Sequence, residues 1–564
     1  MAFRLAGWPP SAQCERPTPT LSLDHLDAVN AALDADDTSL AVRLATEAVA
    51  DGHEATLLFN LAAYGHEQAG RFIESLDLLT RARAMDPYDP LILNAIGQSL
   101  SQQGRNRDSI EAFQGALAID PRLAPAHHGL GLAFGVAGDG YRARFHLEQA
   151  VTLAPAFPDP LGSLSAVAFK AKSYDEARGL AERALVMNPA QTSAVHTLAM
   201  LDQHEGRDDH AERRIRELLA RGGLAPLHEA SVRKLLGDIL AGREEWSAAW
   251  EAYASANRLT RVTYRSQFDR PDVESGVAYT QRMLSYFRAA PAEPWKRSPL
   301  GKPSGPLSSE EPSRHVFLMG MHRSGTTLLE QVLASHPDAC ALEERRTIED
   351  AAWTFLRDDE GVDRLAEISE SEALWRRRDY WRTVRGFGVD PAGKVFVDKM
   401  PLSSLWLPYI AKLFPDARIL FAIRDPRDVV LSCFRLLFQV NPLMYEYTDI
   451  ERASLLYDGV LALMEVYGAK MDLTLRYCRN EDLIGDFDSE TQAICAHLGI
   501  SWSPKMRDFV DTASRRDIRT PSASQVARGL NDSGVGQWRV YAEQMQPARA
   551  ILAPWVRRFG YAVD

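Results

Sequence analysis

Three segments in the second half of the chain hold residues suited to gripping anions. VFLMGMHRSGTTLLEQVLASHP opens at Val316 with an apolar run, passes through a Gly-rich loop and continues with apolar residues at Leu328, Leu329, Val332 and Leu333, a helical spacing. Strand, loop and helix start in that order present free backbone N–H groups to an anion. Gly320 and Gly325 have four residues between them, as in a Walker loop, but Thr326 stands where that loop carries lysine. That lysine reaches the β and γ phosphates of a triphosphate. The loop therefore suits another anion, and Arg323 supplies a planar donor fork for phosphate or sulfate. In KVFVDKMP, Lys399 follows a short β-branched run. In ARILFAIRDPRDVVLSCFRLLF a strand ends at Arg424, Pro426 fits a first helical turn, and Ser432 lies on the helix beyond. Arg424 and Ser432 can converge on a second anion at the carboxyl edge of a sheet. Taken alone, Arg424 reads better as an ion-pair partner of Asp425 or Asp428.

Positioning these groups requires an α/β domain with a central parallel sheet, and the chain has room for more than that. Its 564 residues amount to three or four domains at about 150 residues each. With 46% hydrophobic and 25% charged residues it has globular composition, which excludes wholesale disorder, collagen and a disulfide miniprotein. A net charge of −12 argues against wrapping nucleic acid. Five cysteines without C-x-x-C spacing point to a reducing compartment and no zinc site. The start lacks a secretory signal, and no segment offers the roughly 18 apolar residues of a membrane span. A cytoplasmic location is expected, with no membrane span and no nucleic-acid partner; a homodimer is left open.

The first half repeats itself. Pro87, Pro121, Pro155 and Pro189 fall 34 residues apart, Ala82, Ala116, Ala150 and Ala184 precede them by five, and Ala48 extends the register. With each proline counted as position 32, position 8 is small (Ala63, Gly97, Gly131, Ser165) and position 24 is mostly larger (Leu79, Phe113, Leu147, Ala181). This pattern resembles the tetratricopeptide repeat, two helices per unit with the proline ending the second. Degenerate units follow at Gln191–Gly222 and Leu227–Arg261, the latter with Gly237, Tyr253 and Ala256 in register. The expected division is an N-terminal segment at 1–21, an α-solenoid at 22–262, a helical connector and Pro/Ser-rich linker at 263–313, and the α/β domain at 314–564. Residues 291–313 hold six prolines and five serines, too little apolar surface to order themselves. The concave face of such an array recruits a protein or peptide.

Together, RSGTT, HPDACALEERRTIED, the Lys399 segment and IRDPRDVVLS resemble the sulfotransferases that use 3′-phosphoadenosine 5′-phosphosulfate (PAPS), most closely the tyrosylprotein sulfotransferases, over about residues 314–564. The offsets match the family's: Arg323 precedes Glu344 by 21 residues, Lys399 precedes Arg424 by 25, and Ser432 follows Arg424 by eight; His336 and Pro337 fall where the family has His-Pro. The resemblance assigns Arg323, Ser324, Gly325, Thr326 and Thr327 to the 5′-phosphosulfate, and Arg424 and Ser432 to the 3′-phosphate. It makes Glu344 the general base and Lys399 the stabiliser of charge on the transferred group. In NDSGVGQWRVY, Ser533 becomes a contact of the sulfuryl group and Gly536 part of a covering loop; Gln525 and Arg528 also approach the cofactor. Of two arginines that read acidic residues beside a target tyrosine, Arg346 is kept and Asp350 stands at the second. The family's Tyr-Glu-x-Leu reads Asn480, Glu481, Asp482, Leu483 here.

The implied activity is sulfuryl transfer to tyrosine of a protein or peptide, without a metal, in a bacterial class that joins tetratricopeptide repeats to the enzyme. Saccharide, lipid or other small acceptors remain the alternative, favoured by Asp350; a repeat scaffold with a relic enzyme domain is a third reading and a P-loop kinase a fourth. His322 is the alternative base.

Overall fold

Each proline of the 34-residue series follows a helix that has already ended. The computed structural model describes residues 23–301, 308, 311–516 and 522–563; the segment expected at 1–21 and residues 302–307 and 309–310 of the expected linker lie outside them. Helices Phe72–Met85, Asn106–Ile119, Gly140–Leu153 and Tyr174–Met187 each stop two residues before their proline. The residue between, Asp86, Asp120, Ala154 or Asn188, has left helical backbone, as the residue before a proline must. Each of these helices pairs with one before it, at Thr56–Gln68, Pro90–Gln102, Ala124–Val136 and Pro158–Lys170, and further pairs lie on either side between Leu23 and Phe268. Small and large positions meet as the spacing requires: a Cβ on Gly97 would stand 2.6 Å from the Phe113 ring, one on Gly131 2.6 Å from Leu147, and one on Gly237 2.4 Å from Tyr253.

A second period was not read from the sequence. Asp36, Gly70, Gly104, Gly138, Lys172 and Gly206 recur every 34 residues in the turn between paired helices, all with φ between 58° and 75°. Glycine enters this left-handed region freely, whereas an L side chain is strained there.

The chain divides into two units, one of residues up to Val273 with Leu437–Tyr445, the other of Glu274–Leu436 and Glu446–Asp564. The helix Gly276–Ala289 belongs to the second unit. It buries Tyr279, Thr280, Met283 and Phe287, and the Tyr279 hydroxyl donates to the Leu405 carbonyl at 3.0 Å. The expectation of an unordered linker from 291 fails over 291–301. There Trp295 is buried, and the Lys412 ammonium donates to the carbonyls of Pro294 at 2.5 Å and Arg297 at 3.1 Å. One aromatic anchor and a lysine capping bare carbonyls suffice where average composition predicts disorder.

The second unit is built on β1 (Arg314–Gly320), β2 (Ala339–Leu342), β3 (Val395–Lys399), β4 (Arg418–Ile423) and β5 (Thr474–Arg479). They form a parallel sheet in the order β2-β3-β1-β4-β5. After β1 the chain moves to one side of the sheet and after β3 to the other, so the loops at the carboxyl ends of β1, β3 and β4 are neighbours, the place where open α/β sheets bind ligands. One face, with Val316, Leu318, Val395, Val397, Leu420 and Ala422, packs on Leu329, Val332 and Leu333 of α1 (Thr326–Ala334). The opposite face brings His315, Phe317 and Phe396 against Tyr380, Trp381 and Phe414. Strand alternation therefore turns Lys399 toward α1 and Asp398 toward the aromatic cluster.

Candidate active site

The loop between β1 and α1 is held open by backbone that few residues tolerate. Gly325 has φ 99°, and a Cβ there would stand 2.5 Å from Asn480 Oδ1. Arg323, though not glycine, also has positive φ, 68°, which costs about 1–2 kcal/mol. The Ser324 hydroxyl donates to the Met321 carbonyl at 2.7 Å. Thr326 and Thr327, both buried, open α1, where first-turn N–H groups have no partner within the helix.

Arg323 Nε donates to Ser432 Oγ at 3.0 Å, its Nη2 to Gln525 Oε1 at 2.7 Å and its Nη1 to Ser522 Oγ. Ser432 lies on α2 (Pro426–Arg435). Arg424 is buried; its Nη1 donates to the Arg323 carbonyl at 3.3 Å and its Nη2 to the Gly534 carbonyl, while its buried Nε has no partner among the described residues. Neither guanidinium forms an ion pair among the described residues. Burial, with Arg424 and Arg435 adding to it, lowers the Arg323 guanidinium from its ordinary value. Two cations that hold only neutral acceptors, one with an idle donor, make an anion cradle.

The ion pair weighed for Arg424 is not formed. Asp425 instead takes Arg427 in a fork at 2.9 and 2.7 Å. Asp428, buried, accepts the backbone N–H groups of Gly536 at 2.6 Å and Trp538 at 2.9 Å. Asp428 thereby fixes the loop whose Gly534 carbonyl receives Arg424, and Gly536 turns that loop with φ 73°.

At the carboxyl end of β3, Lys399 is buried with its Nζ 2.8 Å from Glu344 Oε1 and 3.2 Å from Glu330 Oε2. Register explains the first contact: β2 pairs Leu342 with Asp398, so the loop leaving β2 carries Glu344 past the end of β3. Glu330 comes from α1, on the face Lys399 points toward. Burial opposes the lysine's charge, but Glu330 and Glu344 outweigh it and raise the ammonium above its usual range. The other Glu330 oxygen takes Arg516 Nη2 at 3.1 Å. Burial holds His322 down to about 4, against a smaller upward pull from Glu344, so it is neutral near pH 7, with Nδ1 2.8 Å from the Tyr447 hydroxyl. Behind Lys399, Asp398 Oδ2 accepts from Tyr380 at 2.7 Å and from Thr347 at 2.9 Å, and burial pushes Asp398 up to about 6. The Thr347 bond ties the Glu344 loop to the strand that carries Lys399.

The other expected residues sit apart from these two clusters. Ser533 is exposed and donates to Asn531 Oδ1 at 2.5 Å. Arg528 is exposed. Arg346 is exposed and lies 3.9 Å from Asp350, so the residue standing in for the second arginine partly neutralises the first. Glu330, Arg516, Asp428, Ser522 and Asp398 were not singled out from the sequence for these contacts. The available sign of Glu330 was a carboxylate inside the apolar stripe of α1.

Residues 315–504 match the model of the Sulfotransferase family. An uncharacterized protein of Aquifex aeolicus is 23% identical over 423 residues, 73% of this chain and 52% of its own length. Protein-tyrosine sulfotransferase A of Caenorhabditis elegans is 25% identical over 273 residues, 44% of this chain and 67% of its own. Protein-tyrosine sulfotransferase 2 of Gallus gallus is 25% identical over 266 residues, 44% and 69%. The chain thus spans about half the length of the Aquifex relative. A thermophilic TPR protein of Thermus thermophilus is 19% identical, with TM-score 0.30, over 33% of this chain and all of that structure. Among the described residues no helix is long and apolar enough to cross a membrane. By the family match and the parallel sheet that carries it, residues 315–504 form a sulfotransferase-family domain, preceded in the chain by tetratricopeptide-like helix pairs.

Proposed function

We propose that the chain transfers the sulfuryl group of PAPS to an acceptor hydroxyl, tyrosine of a protein or peptide, and that the repeat array recruits that acceptor. The observation that carries this reading is the pair of guanidinium groups, Arg323 half-buried and Arg424 buried, bonded to neutral acceptors at the same carboxyl edge of the sheet as the Lys399–Glu344 pair. PAPS has two anionic ends, and the donors present fit both. Arg323, Ser324, Gly325, Thr326 and Thr327 would hold the 5′-phosphosulfate, and Arg424 and Ser432 the 3′-phosphate. Gly536, Gln525 and Arg528 would lie over the nucleotide, with Ser533 swinging in from the same loop. When bound, PAPS supplies a sulfuryl group activated by its bond to phosphate.

The chain's own residues then orient and deprotonate. Glu344, about a third exposed at its side chain, can meet an acceptor from solvent and take its hydroxyl proton on a carboxylate oxygen, a step worth roughly 100-fold or more. Lys399 Nζ, dry and charged, stabilises negative charge where the bond breaks, and such a donor gains strength in a water-poor site. Sulfuryl transfer resembles phosphoryl transfer in resting on positioning and charge stabilisation. The Arg346–Asp350 pair favours a second reading, an acceptor without acidic neighbours, whether a peptide, a saccharide or another small molecule.

Adenosine 3′,5′-bisphosphate should raise the melting temperature far more than ATP, and Arg424→Ala should weaken its binding by about 10- to 100-fold through loss of a charge-assisted contact. Equal stabilisation by ATP, or unchanged binding by a folded Arg424→Ala protein, would refute the reading.

A further inference from the structure

We propose that Glu330 is a positioning residue for Lys399, the permanent counterion that keeps its ammonium charged and in place when Glu344 is protonated. The inference rests on the reading of Glu344 as the base. Lys399 has no solvent contact, and a buried ammonium without a carboxylate discharges or moves. Glu344 is its nearer partner at 2.8 Å, but it sits on a loop and is partly exposed. A base that accepts the acceptor's proton ceases to be an anion, so Glu344 cannot serve as counterion at the step where the lysine's charge is needed.

Glu330 is built for the part Glu344 gives up. It is fully buried on α1, Oε2 lies 3.2 Å from Lys399 Nζ, and Oε1 is fixed by Arg516 at 3.1 Å. Arg516 is anchored in turn to the Ala341 carbonyl at 3.0 Å and Gln331 Oε1 at 3.2 Å. Glu330, Glu344, Lys399 and Arg516 together are neutral. Once the acceptor proton is on Glu344 they carry one positive charge, and the lysine still has an anion beside it. Other titratable or charged groups that act on this quartet are His322, with Arg323 beyond it, Cys340 near Arg516, and Asp398 from the opposite face of β3.

The test compares Glu330→Gln and Glu330→Asp with the full-length protein. The pH at which Lys399 becomes reactive toward an amine-acylating reagent, read by mass spectrometry, needs no acceptor. It should fall in Glu330→Gln and return toward the original in Glu330→Asp. Turnover of PAPS with a tyrosine peptide should fall about 10- to 100-fold in Glu330→Gln, its alkaline limb moving to lower pH, while bisphosphate affinity stays within about twofold. If Glu330→Gln does not fold, Arg516→Gln, which removes the cation sharing the carboxylate and leaves Glu330 to Lys399 alone, should move the Lys399 titration the other way, to higher pH. A folded variant with unchanged Lys399 titration and an unchanged alkaline limb overturns the proposal. An active Glu344→Gln protein would instead refute the base on which the proposal rests, whatever Glu330→Gln does.

Discussion

Asp428 is the point at which a single substitution should separate loop closure from folding. Its carboxylate receives two backbone N–H groups, at 2.6 and 2.9 Å, and is almost wholly buried. A hydrogen bond to a charged group contributes about 1.5–3 kcal/mol, so Asp428→Ala should cost the closed loop about 3 kcal/mol or more once the two N–H groups regain partial hydration. The loss falls on residues 534–538, which carry the Gly534 carbonyl to Arg424. If ligand binding requires that loop closed, 3 kcal/mol corresponds to about 100-fold in affinity. Asp428→Asn keeps one acceptor oxygen but turns an amide donor toward the other N–H, so it should fall between. Calorimetric titration with adenosine 3′,5′-bisphosphate at neutral pH and physiological salt measures this. A folded Asp428→Ala protein with affinity within twofold of the original would show that the loop is irrelevant to the anion site.

Further outcomes follow from local geometry. Lys172 occupies a left-handed turn that four sister repeats fill with glycine, with φ 61°, and Lys172→Gly should stabilise the array by about 0.5–1 kcal/mol in thermal unfolding. Gly131→Ala should destabilise it by about 1–3 kcal/mol, because the new Cβ meets Leu147 at 2.6 Å and the Ala143 carbonyl at 3.2 Å. Burial raises Asp398 to about 6, so its protonated form stabilises the fold below about pH 4, and this contribution is lost as pH rises through about 6. Asp398→Asn, whose amide can occupy the side of Oδ1, which has no partner among the described residues, while its oxygen keeps the Tyr380 and Thr347 bonds, should remove that dependence. Denaturant titrations at pH 5 and pH 8 should then show the variant gaining relative to the original at pH 8.

What could be read from the sequence was what lies close along the chain or recurs along it. The prolines, the small residues at Gly97 and Gly131 and their partners Phe113 and Leu147 announce the helix pairs because each contact repeats at one spacing. The turn glycines shared that period but passed unnoticed, since Lys172 interrupts them. The loop around Arg323 and the strand end at Arg424 were legible because strand, loop and helix follow one another within a few residues. Glu330 was hidden because its partner lies 69 positions away on another strand, and only the turning of Lys399 toward α1 brings them together. Asp428 was weighed as an ion-pair partner because sequence proximity favours Arg424, whereas in the fold its oxygens face a loop more than 100 residues on. Trp295 shows the reverse error: averaged over a Pro/Ser-rich stretch, one well-placed aromatic does not register.

The most direct measurement is transfer of labelled sulfate from PAPS to a tyrosine peptide and to 4-nitrophenol by the full-length protein and by Glu344→Gln. The account predicts bisphosphate binding close to the original in the variant, turnover on the peptide lower by roughly 100-fold or more, and a smaller deficit on nitrophenol, whose proton needs less help; His322→Ala should cost far less. Turnover by Glu344→Gln equal to the original, with His322→Ala inactive, would contradict it.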